Sequence, residues 1–213
     1  MEILENKEVL FKDLSEERRW EVVHDGLQFS DFWWEQVQID VLRELENEGI
    51  YDAEMQWSGF NSQGDGASFT GKVELSEFFE YHYKHFDFKF NRDGHSQEGA
   101  DLLEELGAEP KFMVKDAIED SIITGSIDRI DSRYSHWNTV SFNIEREYLP
   151  EGWEKEVDSF ANYLEGYCSD WLKDKCKDLY SRLQKAYEDE EKAWYDDHMN
   201  NEDEMYHSVV TNI

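Results

Sequence analysis

The sequence predicts an α+β fold: an antiparallel sheet of about four strands flanked by helices, with a long C-terminal helix or helical hairpin. Three observations carry that reading. Residues 52–60 with 67–75, and 122–130 with 139–147, alternate apolar and polar side chains on either side of short polar connections, the pattern of two hairpins. Stretches before and between them carry apolar residues at helical spacing. From Trp153 to about Asn200 no proline interrupts a repeating apolar stripe.

Taken in order, residues 1–29 are a charged lead-in of amphipathic flavour, with Val9, Leu10, Leu14 and Trp20 among Glu and Lys. A helix follows from about Asp31 to Asn47. Ser30 or Asp31 can accept from its free first-turn amides, Trp34, Val37, Val41 and Leu45 make one stripe, and Gly49 suits a left-handed stop. That stripe should lie on the sheet, which begins with the first hairpin; the intervening NSQGDG supplies glycines for a turn or bulge. Ser76 can cap a helix running to about His85. FDFKF then reads as a short strand-like run, 92–99 as a loop, and 100–119 as two short helices punctuated by Gly107 and Pro110. In the second hairpin ITGSIDRI echoes FTGKVEL at Phe69–Leu75, which suggests neighbouring strands with similar kinks.

After Pro150 and Gly152 the stripe runs through Trp153, Val157, Phe160, Leu164, Cys168, Leu172, Cys176, Leu179, Leu183 and Ala186. The spacing is heptad-like at both ends and drifts in the middle. Unbroken, such a helix is about 70 Å long. Either it breaks near Gly166 and Ser169 or it projects and pairs with a partner. The predicted organisation is thus an α+β domain over 1–150, an acidic helical region over 151–200, and a loose tail over 201–213.

Composition bounds the function. A 39% hydrophobic and 15% aromatic chain of 213 residues can bury a core. Its formal net charge is −30, with 34 acids against 14 bases up to residue 149 and 17 against 7 beyond, so no acidic tail accounts for it. Such a surface repels phosphates and anionic membranes, which argues against direct binding of nucleic acid or lipid. Salt adaptation is one bland source of the charge, but thirteen lysines against eight arginines show no replacement of lysine. Cys168 and Cys176, eight residues apart on a helix, sit about 12 Å apart, too far for a disulfide. With no cleavable apolar leader and no long apolar run, the chain reads as cytoplasmic.

One stretch differs from its surroundings: WSGFNSQGDGASFTG, Trp57–Gly71, holds four glycines and a single charge, Asp65. No Lys-Ser/Thr pair and no helix follow Gly64-Asp65-Gly66, so it is not a phosphate-cradling loop of the nucleotide-hydrolase type, and the dinucleotide fingerprint fails as well. What the residues offer is a polar turn, with Ser62, Gln63, Asp65 and Ser68 as donors and acceptors. The run resembles a pattern of small uncharacterised proteins of bacteriophages and mobile elements: an SGF-x-SQGDGASF-x-G core after a helix, and a later RY-x-H segment ahead of a strand. Here the later segment is Arg133, Tyr134 and His136, and the likeness covers residues 32–75 and 124–145, about a third of the chain. The resemblance implies a phage-like origin more than a reaction.

If the hairpins are neighbours, Arg133, Tyr134 and His136 approach the turn. Either they tie it by hydrogen bonds, or they form a small-ligand or catalytic site with His136 as acid or base and Arg133 as anion holder. His82 and His85 have a metal-like spacing, with His95 not far on, but no third ligand follows at a telling interval; they read as surface histidines on a half-buried aromatic helix. No metal and no cofactor is expected.

The preferred reading is a non-enzymatic, phage-type protein that inhibits a host defence enzyme by occupying its nucleic-acid site. Glu188, Asp189, Glu190, Glu191, Asp196 and Asp197 would stand in for phosphates, with exposed Trp194 and Tyr195 as aromatic anchors. The partner would be a protein with a basic surface. The rivals are the enzyme or ligand-binding reading of the turn, and a structural homodimer built on the C-terminal helix.

Overall fold

The computed structural model describes residues 4–26, 33–60, 62, 64–85, 123–131, 133–146, 154–201 and 205–211. Numbered over these, the elements run β1 (Leu4–Leu10), a 3-10 turn (Phe11–Asp13), α1 (Glu16–Gly26), α2 (Glu35–Asn47), β2 (Ile50–Trp57), β3 (Ala67–Val73) and α3 (Leu75–His85). After them come β4 (Ile123–Arg129), a second 3-10 turn (Trp137–Thr139), β5 (Val140–Arg146), α4 (Glu154–Asn200) and β6 (Met205–Thr211). The class is α+β, with a four-stranded antiparallel sheet in the order β2-β3-β4-β5. The chain forms two compact units: Val37–Arg182, and Met1–Gln36 together with Leu183–Ile213.

α2 runs from Glu35 to Asn47, and just past its end Gly49, in the larger unit, takes a φ of 80°, the left-handed stop its glycine suits. A Cβ there would stand 2.7 Å from Phe78 N, so the tight entry into α3 also needs glycine. Val41 and Leu45 are buried on the predicted stripe. The two Thr-Gly passages do lie on neighbouring strands, with Gly71 opposite Ile127 and Val73 opposite Gly125. On the edge strand β2 the register slips between Tyr51 and Glu54, and Asp52 takes a positive φ of 52° in that bulge. α4 completes the core. Trp171 stands edge-on to Phe69, Phe78 and Phe142 at 6.2, 5.1 and 6.3 Å, and Leu172, Cys176 and Leu179 are buried beside it.

α4 is one unbroken helix of 47 residues, and no break occurs at Gly166 or Ser169. From Cys168 to Leu183 its seam is covered within the chain, where Cys168, Leu172, Cys176, Leu179 and Leu183 are buried. Over that stretch the helix offers no free seam for a dimer. The predicted boundary moves as well: the helix up to Arg182 is part of the sheet-bearing unit, not a separate region after residue 150.

The smaller unit corrects the predicted loose tail. Met205–Thr211 is a strand, paired antiparallel with β1 from Leu4↔Thr211 to Leu10↔Met205. Its support is an aromatic cluster that residue spacing cannot show: Phe11, fully buried, meets the rings of Trp194, Tyr195 and Tyr206 at 6.3, 5.4 and 5.5 Å. Val23 of α1 and Leu14 complete it. The predicted caps Ser30 and Asp31, and the elements read between 86 and 119, lie outside the described residues.

Candidate functional site

The glycine-rich turn between β2 and β3 is built from its own polar residues. Ser58 N donates to Gly66 O at 3.0 Å, Gly66 N donates to Ser58 Oγ at 3.2 Å, and Asp65 N donates to Ser62 O at 3.1 Å. The Asp65 carboxylate accepts from Ser62 N at 2.5 Å, and Gly64 takes φ +104°. Tyr180 of α4 lies nearby with its ring 5.5 Å from Phe60; burial, then the Asp65 charge, raises its hydroxyl above the ordinary tyrosine range.

The connection between β4 and β5 is folded onto this turn. Arg129 Nε donates to Asp131 O at 2.9 Å and its NH2 to Tyr134 O at 3.1 Å. His136 opens the 3-10 turn, its Nδ1 accepting from Asn138 N at 3.2 Å while Thr139 Oγ1 donates to His136 O at 2.7 Å. The Nδ1 acceptor places the neutral ring's proton on Nε2. Trp137 is held under α4 by Lys173 and Lys177, 4.8 and 5.9 Å from its ring. So braced, the segment brings its rings against the glycines. A Cβ on Gly66 would stand 2.8 Å from both His136 Cδ2 and Ser135 O, and one on Gly64 would stand 3.4 Å from Tyr134 Cδ1.

The two motif halves therefore meet, as the hairpin adjacency predicts, but not every predicted member joins them. Ser68 lies in β3, buried and opposite Gln56, because the turn closes earlier, at Gly66; it offers nothing to an incoming ligand. Arg133 faces Asp131, with NH2 2.7 Å and Nε 3.2 Å from Oδ2, and its hydrogen bonds hold the Asp131 carboxyl down at about 2. The anion it holds is thus its own neighbour. Ser62 is exposed, Tyr134 is 53% exposed, and Gln63 lies outside the described residues.

A second polar cluster carries no local signal. Glu48, just past α2 and 2% exposed, accepts from Trp171 Nε1 at 3.1 Å, meets Lys175 Nζ at 2.5 Å through its other oxygen, and lies 3.3 Å from His82 Nε2. Tyr167 OH lies 3.5 Å from His82 Nδ1. Burial would raise the Glu48 carboxyl, but hydrogen bonds from His82 and Lys175 and their charges outweigh it and hold it below the usual range. His82 is thus a buried member of this cluster and not the surface histidine expected. Only the spacing of Trp171 and Lys175, one helical turn apart, hints at a shared target. Among the described residues no group of three or more His, Cys, Asp or Glu is placed to hold a metal, and no helix is long and apolar enough to cross a membrane.

At the far end of α4, Glu188, Asp189, Asp196 and Asp197 are exposed and Glu190 is half-buried. Glu191 is turned inward, 3.2 Å from His24 Nδ1 with its side chain 16% exposed. Trp194 and Tyr195 are not exposed anchors. Both pack on Phe11, Tyr195 also stacks on Trp20 at 4.8 Å and Trp194 on His198 at 3.4 Å.

A family model described as Domain of unknown function (DUF8835) matches residues 33–192. The chain belongs to the DUF8835 family. The DUF8835 span includes the glycine turn, the RY-x-H connection and the Glu48 cluster, whereas β1, α1, β6 and the carboxylates Asp196 and Asp197 fall outside it. No curated protein and no solved structure matches the chain.

Proposed function

We propose that this chain is an acidic interaction protein that blocks a nucleic-acid-binding enzyme of a host cell, offering carboxylates where the enzyme expects phosphates. The observation that carries the reading is the end of α4. Glu188, Asp189, Asp196 and Asp197 project from a regular helix whose Trp194 and Tyr195 are fastened to Phe11 beneath them. Charges fixed in this way lose little freedom on binding, and a −30 body is steered quickly to a basic groove. The phage-like pattern around Gly64–Gly66 supports a host enzyme, of the defence type, as the target. The compartment is then the host cytoplasm.

Affinity capture from bacterial lysate at low and high salt, with mass spectrometry, identifies the partner. Competition with phosphates must share their salt dependence, so the complex weakens steeply as salt rises and duplex DNA or RNA displaces the chain. A partner held equally well at high salt, and able to bind nucleic acid at the same time, contradicts the proposal. A second reading, small-ligand binding at the glycine turn, is favoured by one observation, the placement of Tyr134 and His136 directly against Gly64 and Gly66. Ligand-induced shifts of the His136 ring resonances would support it.

A further inference from the structure

Ile130 and Tyr134, at 65% and 53%, are the most exposed large hydrophobic side chains among the described residues, and both belong to the connection between β4 and β5. Single apolar residues on a surface are ordinary. What sets these two apart is how firmly their backbone is held. Ile130 N donates to Thr139 O at 2.8 Å, and the Arg129 guanidinium joins the carbonyls of Asp131 and Tyr134. The Tyr134 ring lies against Gly64, where a Cβ would already touch it at 3.4 Å. One side of the ring is thus seated on the turn while half of its surface meets solvent. A charge is fixed on the same strand end. Asp128 is exposed, and its Oδ2 accepts from Ser126 Oγ at 2.5 Å and from Asn143 Nδ2 at 2.7 Å. Arg133, the cation beside Tyr134, is neutralised by Asp131.

We propose that Tyr134 is a base surrogate: its ring enters the slot in which the target enzyme holds an unpaired nucleobase, with Asp128 turned to the basic rim of that slot. The inference rests on the phosphate-mimic reading above and narrows it to enzymes that take a single-stranded or flipped-out base. Sites of that kind combine an apolar or aromatic slot, which stacks the base, with cations that hold the backbone. The connection offers the complement of both, a presented ring and a carboxylate held in place. Charge selects this occupant, because a −30 body is drawn to a cleft with a basic rim and repelled by an acidic one. A tyrosine whose backbone is already fixed also loses little freedom on insertion, which suits a binding hot spot.

The test uses the full chain and the partner recovered from lysate. Tyr134→Ala should weaken binding about tenfold or more, as loss of one stacked ring does, while Tyr134→Phe keeps the ring and should stay within about twofold of wild type. A single-stranded oligonucleotide should displace the chain at lower concentration than a duplex of the same length. If the complex weakens with salt and yields to nucleic acid, but Tyr134→Ala binds like wild type or the duplex competes as well as the single strand, this inference falls and the phosphate-mimic reading stands. A wild-type complex that ignores salt and admits nucleic acid overturns that reading, and the base surrogate with it. A lysate that yields no partner at any salt overturns both. Should Tyr134→Ala lose its circular dichroism, the wild-type chain decides: with its tyrosine rings carbon-13 labelled, Tyr134 signals that do not shift when the partner is added overturn the proposal.

Discussion

Trp171 donates its indole N–H to Glu48 Oε2 across 3.1 Å, although the two residues lie 123 positions apart. The same carboxylate receives Lys175 of α4 and faces His82 of α3, so one buried acid joins the end of α2 to two further helices.

Removing that acid should be costly. Glu48→Ala leaves the Trp171 N–H without its acceptor and Lys175 without its ion partner. Breaking a buried pair usually costs about 3–5 kcal/mol. Roughly 3 kcal/mol is expected here, because Lys175, with its side chain 25% exposed, can turn to water. Urea unfolding followed by tryptophan fluorescence measures it.

The pH dependence has a definite sign. The Glu48 carboxyl titrates lower in the folded chain than the usual value of about 4.3. As the pH falls the unfolded state takes up its proton first, and the stabilisation present at neutral pH is lost as the pH drops through the folded value. The stability difference between wild type and Glu48→Gln should be full at pH 7 and shrink towards pH 3. A gap that stays constant with pH would remove Glu48 from the acid response.

Gly66→Ala should disturb the contact between the motif halves, since its Cβ would stand 2.8 Å from His136 Cδ2 and from Ser135 O, a backbone atom that cannot swing aside. About 1–3 kcal/mol is expected for such overpacking. Gly64→Ala adds a left-handed backbone strain of similar size, about 1–3 kcal/mol. Thermal unfolding of the two variants, with shifts of the His136 ring signals, checks both.

The thiols should be inert until the chain opens. Cys168 and Cys176 are free and buried; burial pushes the Cys176 thiol up to about 12 and Cys168 higher still. Labelling with a thiol reagent should be slow in native buffer and rise with urea in step with unfolding. Prompt labelling of either cysteine would mean that α4 lifts from the sheet locally. Leu179→Ala, at 1% exposure, should cost about 2–5 kcal/mol and speed labelling of both.

Much of the sheet-bearing unit was legible in the sequence because its signals are local. Alternation marks β2 to β5, Val41 and Leu45 lie on one helical stripe, and Gly49 carries the left-handed angle that only its own residue type announces. The meeting of Tyr134 and His136 with Gly64 and Gly66 followed from hairpin adjacency. What the sequence hid is tertiary pairing between distant positions. Glu48 looks like any surface acid at a helix end until His82 and Trp171 close over it. Trp194 and Tyr195 look like exposed anchors beside their acidic neighbours until Phe11 claims them. β6 was missed because MYHSVVT is a good strand sequence with no hairpin mate nearby; its mate is at the other end of the chain.

The contact between Gly66 and His136 ties together positions seventy residues apart in the chain. Neither can drift alone. A side chain at the position of Gly66 would meet both the His136 ring and the Ser135 carbonyl, so accommodating it requires the ring to be given up and the 135–136 backbone to shift. The two positions are therefore expected to change together. Among divergent members of the family, joint change at these two columns, more than invariance of either, would be the mark of this fold.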